Sequence, residues 1–341
     1  MKRSLALACM LSASVAAGAG EDAAPPRRLA DTGLFERGST TEIRAGVLSF
    51  SPQYPLWSDG AAKRRWLYLP PGTFIDASRP DAWEFPAGTK LWKEFAQGRR
   101  VETRVVERLG DGSWRFAAYV WNEAGTEAKL APEAGIPALQ VAGAPGGRYG
   151  VPGEADCRAC HEGAAVPVLG VSTLQLSPDR DPLAPHAEPR KAGDIDLRDL
   201  AARGLLRNLP PEMLQSPPRI AAVSAVERAA LGYLHGNCGH CHNDNGSPVP
   251  VDLVLWQKAR ENAKVMRSLL GAPSRYRAPG GRAASAVIEP GRPEASVLVA
   301  RMRSRNPQTQ MPPLGTAEPD NEALALVERW IRTQPQTRKE H

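Results

Sequence analysis

The apolar positions of this chain change rhythm partway along it. Between residues 45 and 130, short apolar runs alternate with turn residues. Arg65 to Leu69 stops at Pro70-Pro71-Gly72, and Lys90 to Phe95 stops near Gln97-Gly98. Val101 to Leu109 reaches Gly110-Asp111-Gly112, with Trp114 to Trp121 directly beyond. Two such runs across a Gly-Asp-Gly turn predict a β-hairpin. Six of the eight tryptophans fall here (Trp57, Trp66, Trp83, Trp92, Trp114 and Trp121). Aromatic, alternating runs fit a small antiparallel β domain over 45–130.

Residues 131–153 repeat Gly, Ala and Pro and read as a linker, opening a loop-rich segment that extends to 222. Within it Asp194 to Arg203 predicts a short helix stopped by Gly204. Leu174 to Arg190 carries four prolines (Pro178, Pro182, Pro185, Pro189) and is expected to run over the surface. From residue 223 to 335 the pattern is helical. Ser224-Ala225-Val226-Glu227 fits a capping box for a helix to Leu234, ended by Gly236 and Asn237. Glu294 to Arg303 and Asn321 to Arg332 are further helices. The expected fold class is therefore α+β multidomain: an N-terminal antiparallel β domain followed by mostly α modules.

The first 19 residues read as a secretory signal. Lys2 and Arg3 precede an apolar stretch, Ser4 to Ala17, and Ala17-Gly18-Ala19 supplies a small-x-small cleavage site. Cys9 sits in the middle of that stretch with Ala6 three residues before it, which disfavours a lipoprotein signal. No other stretch approaches 18 uninterrupted apolar residues, so no transmembrane segment is expected after cleavage. The expected location is periplasmic. The net charge of +6 falls once Lys2 and Arg3 leave, so a solvated basic surface explains it and no nucleic-acid partner is inferred.

Of five cysteines, the four beyond the leader form two pairs of one pattern: Cys157-Arg158-Ala159-Cys160-His161 and Cys238-Gly239-His240-Cys241-His242. C-x-x-C-H is the pentapeptide of c-type haem attachment. Two intervening residues let one turn present both sulfurs along one side of a porphyrin, and the next histidine reaches the iron. A four-thiolate zinc site usually has roughly 15–20 residues between its pairs; the gap from Cys160 to Cys238 is far longer. Redox dithiols and plain disulfides need no histidine after each pair. The expected cofactors are two covalently bound haem c, with His161 and His242 as proximal ligands.

Around the second pair the order is helix, pentapeptide, loops, Met311-Pro312-Pro313-Leu314-Gly315, helix. Met311 is the expected second ligand, a soft thioether on a proline-stiffened loop. Ala230 and Leu234 are expected to pack against Val327, Trp330 and Ile331. The first pair has no such loop. Met213, near Pro210-Pro211, is the preferred sixth ligand there, with His186, His235 and His240 as alternatives and an open site also possible.

In these features the chain resembles a family of periplasmic di-haem c-type cytochromes with a Trp-rich N-terminal domain. The residues that carry the resemblance are Tyr54-Pro55-Leu56-Trp57-Ser58-Asp59-Gly60, Phe85-Pro86-Ala87-Gly88-Thr89, Glu102-Thr103-Arg104 and Tyr119-Val120-Trp121-Asn122-Glu123, with both pentapeptides and Met311-Pro312-Pro313. They spread over residues 45–335. The resemblance implies electron transfer with periplasmic redox partner proteins and names no substrate. Two other readings stay open: a di-haem peroxidase-type oxidoreductase with one open haem, and a ligand- or partner-binding module. The last rests on fourteen aromatics between residues 50 and 121 and a polar rim of Asp59, Lys63, Arg64 and Arg65 near Trp57. A β core accounts for those aromatics equally well.

Overall fold

The computed structural model describes residues 24–245, 251–276 and 286–336; the leader lies outside them. The strands in order are β1 (Leu48–Ser49), β2 (Ala62–Tyr68), β3 (Ile75–Asp76), β4 (Lys90–Gln97), β5 (Arg99–Arg108), β6 (Trp114–Trp121), β7 (Ala128–Leu130), β8 (Ile136–Gln140), β9 (Arg148–Val151) and β10 (Leu206–Arg207). The helices are α1 (Glu154–His161), α2 (Leu197–Ala202), α3 (Glu212–Gln215), α4 (Ala225–Cys238), α5 (Ala263–Leu269), α6 (Val297–Arg303) and α7 (Asn321–Thr333).

Strands β1-β2-β4-β5-β6-β7 form one six-stranded sheet, and every neighbouring pair is antiparallel. Because directly paired residues share a face, the register sorts the side chains. Trp66, Trp92, Val105 and Ala117 lie in one row on one face. There they form a core with Leu29, Leu34 and Phe35 from the segment before the sheet. The next row, Arg65, Lys93, Arg104 and Ala118, points from the opposite face.

The expectation of mostly α, cytochrome c-type modules after the β domain is corrected here. Among the described residues the dominant element is the six-stranded sheet, and only α4 and α7 exceed eight residues. The helical pattern between Ser224 and Arg332 is real but brief, since glycines and prolines separate its pieces. The Gly/Ala/Pro stretch after residue 131 holds the hairpin β8–β9.

The proline-rich segment departs from its expected surface course. Leu174, Leu176 and Ser177 are buried. Two glutamines replace a strand ladder there. Tyr54 N donates to Gln175 Oε1 (3.0 Å), Gln175 Nε2 donates to the Tyr54 carbonyl (3.1 Å), and Asp181 N donates to Gln53 Oε1 (3.2 Å). Prolines supply no donors, so few amides need partners in so dry a place.

Helix α2 begins later than the expected Asp194 and is capped by Asp196, whose carboxylate accepts from Arg198 N and Asp199 N. Ser224 caps α4 by accepting from Glu227 N. The helix passes through Gly232 and Gly236 and ends at Cys238 instead of stopping near Leu234. The glycines mark a close approach by the Tyr54 ring and backbone. Ala230, Leu234, Val327, Trp330 and Ile331 share one buried core where α4 crosses α7.

Candidate functional site

A cavity of about 1510 Å³ lies between the sheet and the helical part. The cysteines and histidines of both pentapeptides and Met311 all line it. Helix α1 carries the whole first pentapeptide and leans on β6, with the His161 ring 5.1 Å from that of Phe116. Helix α4 delivers Cys238 from its last turn. The chain then closes a tight loop, with Cys241 N and His242 N both donating to the Cys238 carbonyl (3.1 and 2.9 Å).

The two pentapeptides, far apart in sequence, touch. Cys241 Sγ lies 3.9 Å from the Ala159 carbonyl oxygen. Asn243, directly after the second motif, donates to the Gly163 carbonyl (2.7 Å) just past the first. A single buried amide thus clamps one motif against the other.

The electrostatics separate the possible chemistries. Burial pushes the Cys157 and Cys160 thiols up to about 11 and Cys238 up to about 12. Thiols held protonated at neutral pH are not activated redox dithiols. Burial also pushes His161 down to about 4, so its imidazole is neutral. His161 Nδ1 lies 2.6 Å from the Pro167 carbonyl, which fixes the proton there and leaves Nε2 with a free lone pair. His242 Nδ1 is buried without a hydrogen-bond partner among the described residues.

The expectation of two covalently bound haem c is corrected. Among the described residues no group of three or more His, Cys, Asp or Glu side chains comes together to hold a metal ion. Cys157, Cys160 and Cys238 are free thiols. Neither pentapeptide is thus a closed metal centre. The physical difference is one of assembly: the fold does not set each motif in a module of its own but gives both to one shared cavity.

The candidate sixth ligands of the first motif also sort out. Met213, on α3, packs with the β-domain core and not in the cavity. His186 Nε2 is held by the Asp320 carboxylate (2.8 Å) and its ring lies 4.7 Å from that of Trp57. His235 Nδ1 accepts from Gln257 N (3.1 Å), which places its proton on Nε2. His240 alone of the four lines the cavity. Met302, on α6, lines it as well and has no motif to announce it.

His235 makes a pH prediction. Burial lowers it from 6.5 to about 4, so the unfolded chain binds its proton first. Its contribution to stability is complete above about pH 6.5 and is lost as pH falls toward 4. The loss reaches about 3 kcal/mol. In urea titrations, His235→Gln is expected to reduce the stability difference between pH 7 and pH 4 by about that amount; an unchanged difference would refute it.

Of the N-terminal polar rim, Asp59 accepts from Ala317 N (2.9 Å) and Glu318 N (3.1 Å), tying the β domain to the loop that follows Met311. Most of the aromatics are core: Trp66, Trp83, Trp92, Tyr119 and Trp121 are buried, while Trp57 lines the cavity. Sequence reasoning missed Lys93 and Arg104 in the cavity wall. Their only signal is a basic position recurring within apolar strands. No family model matches this chain, and no curated protein or solved structure matches it either.

Proposed function

We propose that this chain is an exported electron-transfer protein of the c-type cytochrome kind, acting between periplasmic redox partner proteins. The observation that carries the reading is the convergence of both pentapeptides and Met311 on one cavity, with Cys241 against Ala159. Redox groups carried by the two pentapeptides would share one cavity, and they would supply one-electron chemistry there. The chain's own contributions are a neutral imidazole with Nε2 free at His161 and a thioether at Met311. Export rests on the leader; among the described residues no helix is long and apolar enough to cross a membrane.

The test uses protein made in a periplasm with a cytochrome c maturation system. A spectroelectrochemical titration is expected to show reversible one-electron uptake. Met311→Ala is expected to lower a midpoint potential, because a soft thioether favours the reduced metal. Absence of any reversible electron uptake would overturn the reading. Fast peroxide turnover that disappears when His161 is replaced would move it to a peroxidase-type oxidoreductase.

A further inference from the structure

The cavity wall opposite the helices is built by the sheet, and its charge is one-sided. Register places Arg65 on β2 directly across from Lys93 on β4, and Lys93 directly across from Arg104 on β5. Three cations therefore stand in one row on one face, and all three line the cavity. Like charges at directly opposed positions destabilise a sheet. A fold keeps such a row when something of opposite charge lies over it.

The protein's own carboxylates answer only part of the row. Arg104 holds Glu102 through two bonds, Nε to Oε1 (2.7 Å) and Nη2 to Oε2 (2.9 Å). Arg65 Nη1 donates to Glu188 Oε1 (3.1 Å). The Arg65 side chain is 5% exposed, and its Nη2 is buried without a hydrogen-bond partner among the described residues. An unsatisfied guanidinium nitrogen at that depth is costly. Lys93, the middle of the row, has no carboxylate within ion-pair distance among the described residues; its Nζ rests 4.9 Å from the centroid of the Phe95 ring. Burial, followed by the charges of Arg65, Lys63 and Arg104, lowers its basicity. Among the described residues Lys63, one step along the same face, has only the Ala61 carbonyl (3.1 Å) as hydrogen-bond partner.

We propose that Arg65, Lys93 and Arg104 form a carboxylate-binding site on the sheet wall of the cavity. The Nζ of Lys93 is its donor, while Arg65, held by Glu188, and Arg104, locked by Glu102, add fixed positive charge on either side. An ammonium flanked by two guanidinium charges suits a ligand bearing two carboxylates. Two sources carry that chemistry: a redox group seated in the cavity, or a small dicarboxylic acid entering from solution. The site does not depend on the electron-transfer reading, since its cations belong to the sheet and not to the pentapeptides.

The experiment follows the thermal midpoint of the full-length protein with rising succinate, against sodium chloride at matched ionic strength. Lys93→Met keeps the stem and removes the donor with its charge, and Arg65→Gln removes one flanking charge. With a solution acid as the source, succinate stabilises the protein saturably and each variant binds it at least tenfold more weakly. With a seated redox group as the source, succinate has no effect, and each variant lowers the midpoint potential, because loss of a nearby cation favours the oxidised state. Should neither the succinate response nor the potential differ between the variants and the parent protein, the site is refuted. A variant that melts higher than the parent with no other change refutes it also, as bare repulsion relieved. If one variant does not fold, the other decides by the same two measurements. Electron uptake absent altogether, with the succinate response intact, would sink the proposed function and leave this site standing.

Discussion

Gly232→Ala is expected to unfold the protein more readily by on the order of 3 kcal/mol, although alanine is the better helix former by about 1 kcal/mol. The reason is space. A Cβ at Gly232 would stand 2.0 Å from Tyr54 Cε1, 2.4 Å from Cδ1 and 2.5 Å from Cζ. Tyr54 cannot yield, since its ring is buried, its amide is held by Gln175 and its hydroxyl donates to Asp181 (3.2 Å). One turn on, a Cβ at Gly236 would stand 2.4 Å from the Tyr54 carbonyl oxygen, so α4 cannot slide away along its axis. Thermal unfolding is expected to drop by roughly 6 °C or more. In the Tyr54→Ala background the same substitution should cost almost nothing, a non-additivity that marks direct contact. Equal costs in both backgrounds would show that the helix tolerates the methyl group and that the packing is looser than described. A displaced α4 also moves Cys238 in the cavity wall, so a change in the reactivity of that thiol should accompany the loss of stability.

Glu102→Ala should be the most damaging loss of a charge, at about 3–5 kcal/mol in urea unfolding. Glu102 is fully buried on β5. It accepts two bonds from Arg104 and a third from the Tyr149 hydroxyl (2.7 Å). Removing it strands a guanidinium in a row that already holds Arg65 and Lys93 and orphans the Tyr149 hydroxyl. Glu102→Gln keeps the shape and an acceptor for Tyr149, so it should cost less. The pair Glu102→Ala with Arg104→Met should recover much of the loss, because the stranded charge goes with its partner. If the double substitution is as damaging as Glu102→Ala, packing and not charge explains the effect.

Much of the local structure was legible before any fold was in view. The turn at Gly110-Asp111-Gly112 joins β5 to β6 because alternation and turn chemistry lie within a few residues of each other. Ser224 announces its helix because a cap acts on amides two or three positions away. The contact of Ala230 and Leu234 with Trp330 and Ile331 followed from apolar spacing on two amphipathic helices. The helix end predicted near Gly236 was misplaced because glycine there answers Tyr54, a residue distant in sequence.

By itself, then, the sequence determined the strands β2, β4, β5 and β6, the helices α2, α4 and α7, the two C-x-x-C-H pentapeptides and the Met311 loop. Each of these is settled by side chains within about one turn or one hairpin of each other. The tertiary structure alone decided that the sheet dominates, that the proline-rich segment is buried and that Met213 belongs to the β core. It also decided that both pentapeptides meet at one cavity without forming closed metal centres. The row of Arg65, Lys93 and Arg104 belongs to the same class. Strand register brings the three together, and register is set by the whole sheet's choice of which face to bury, which no single strand contains.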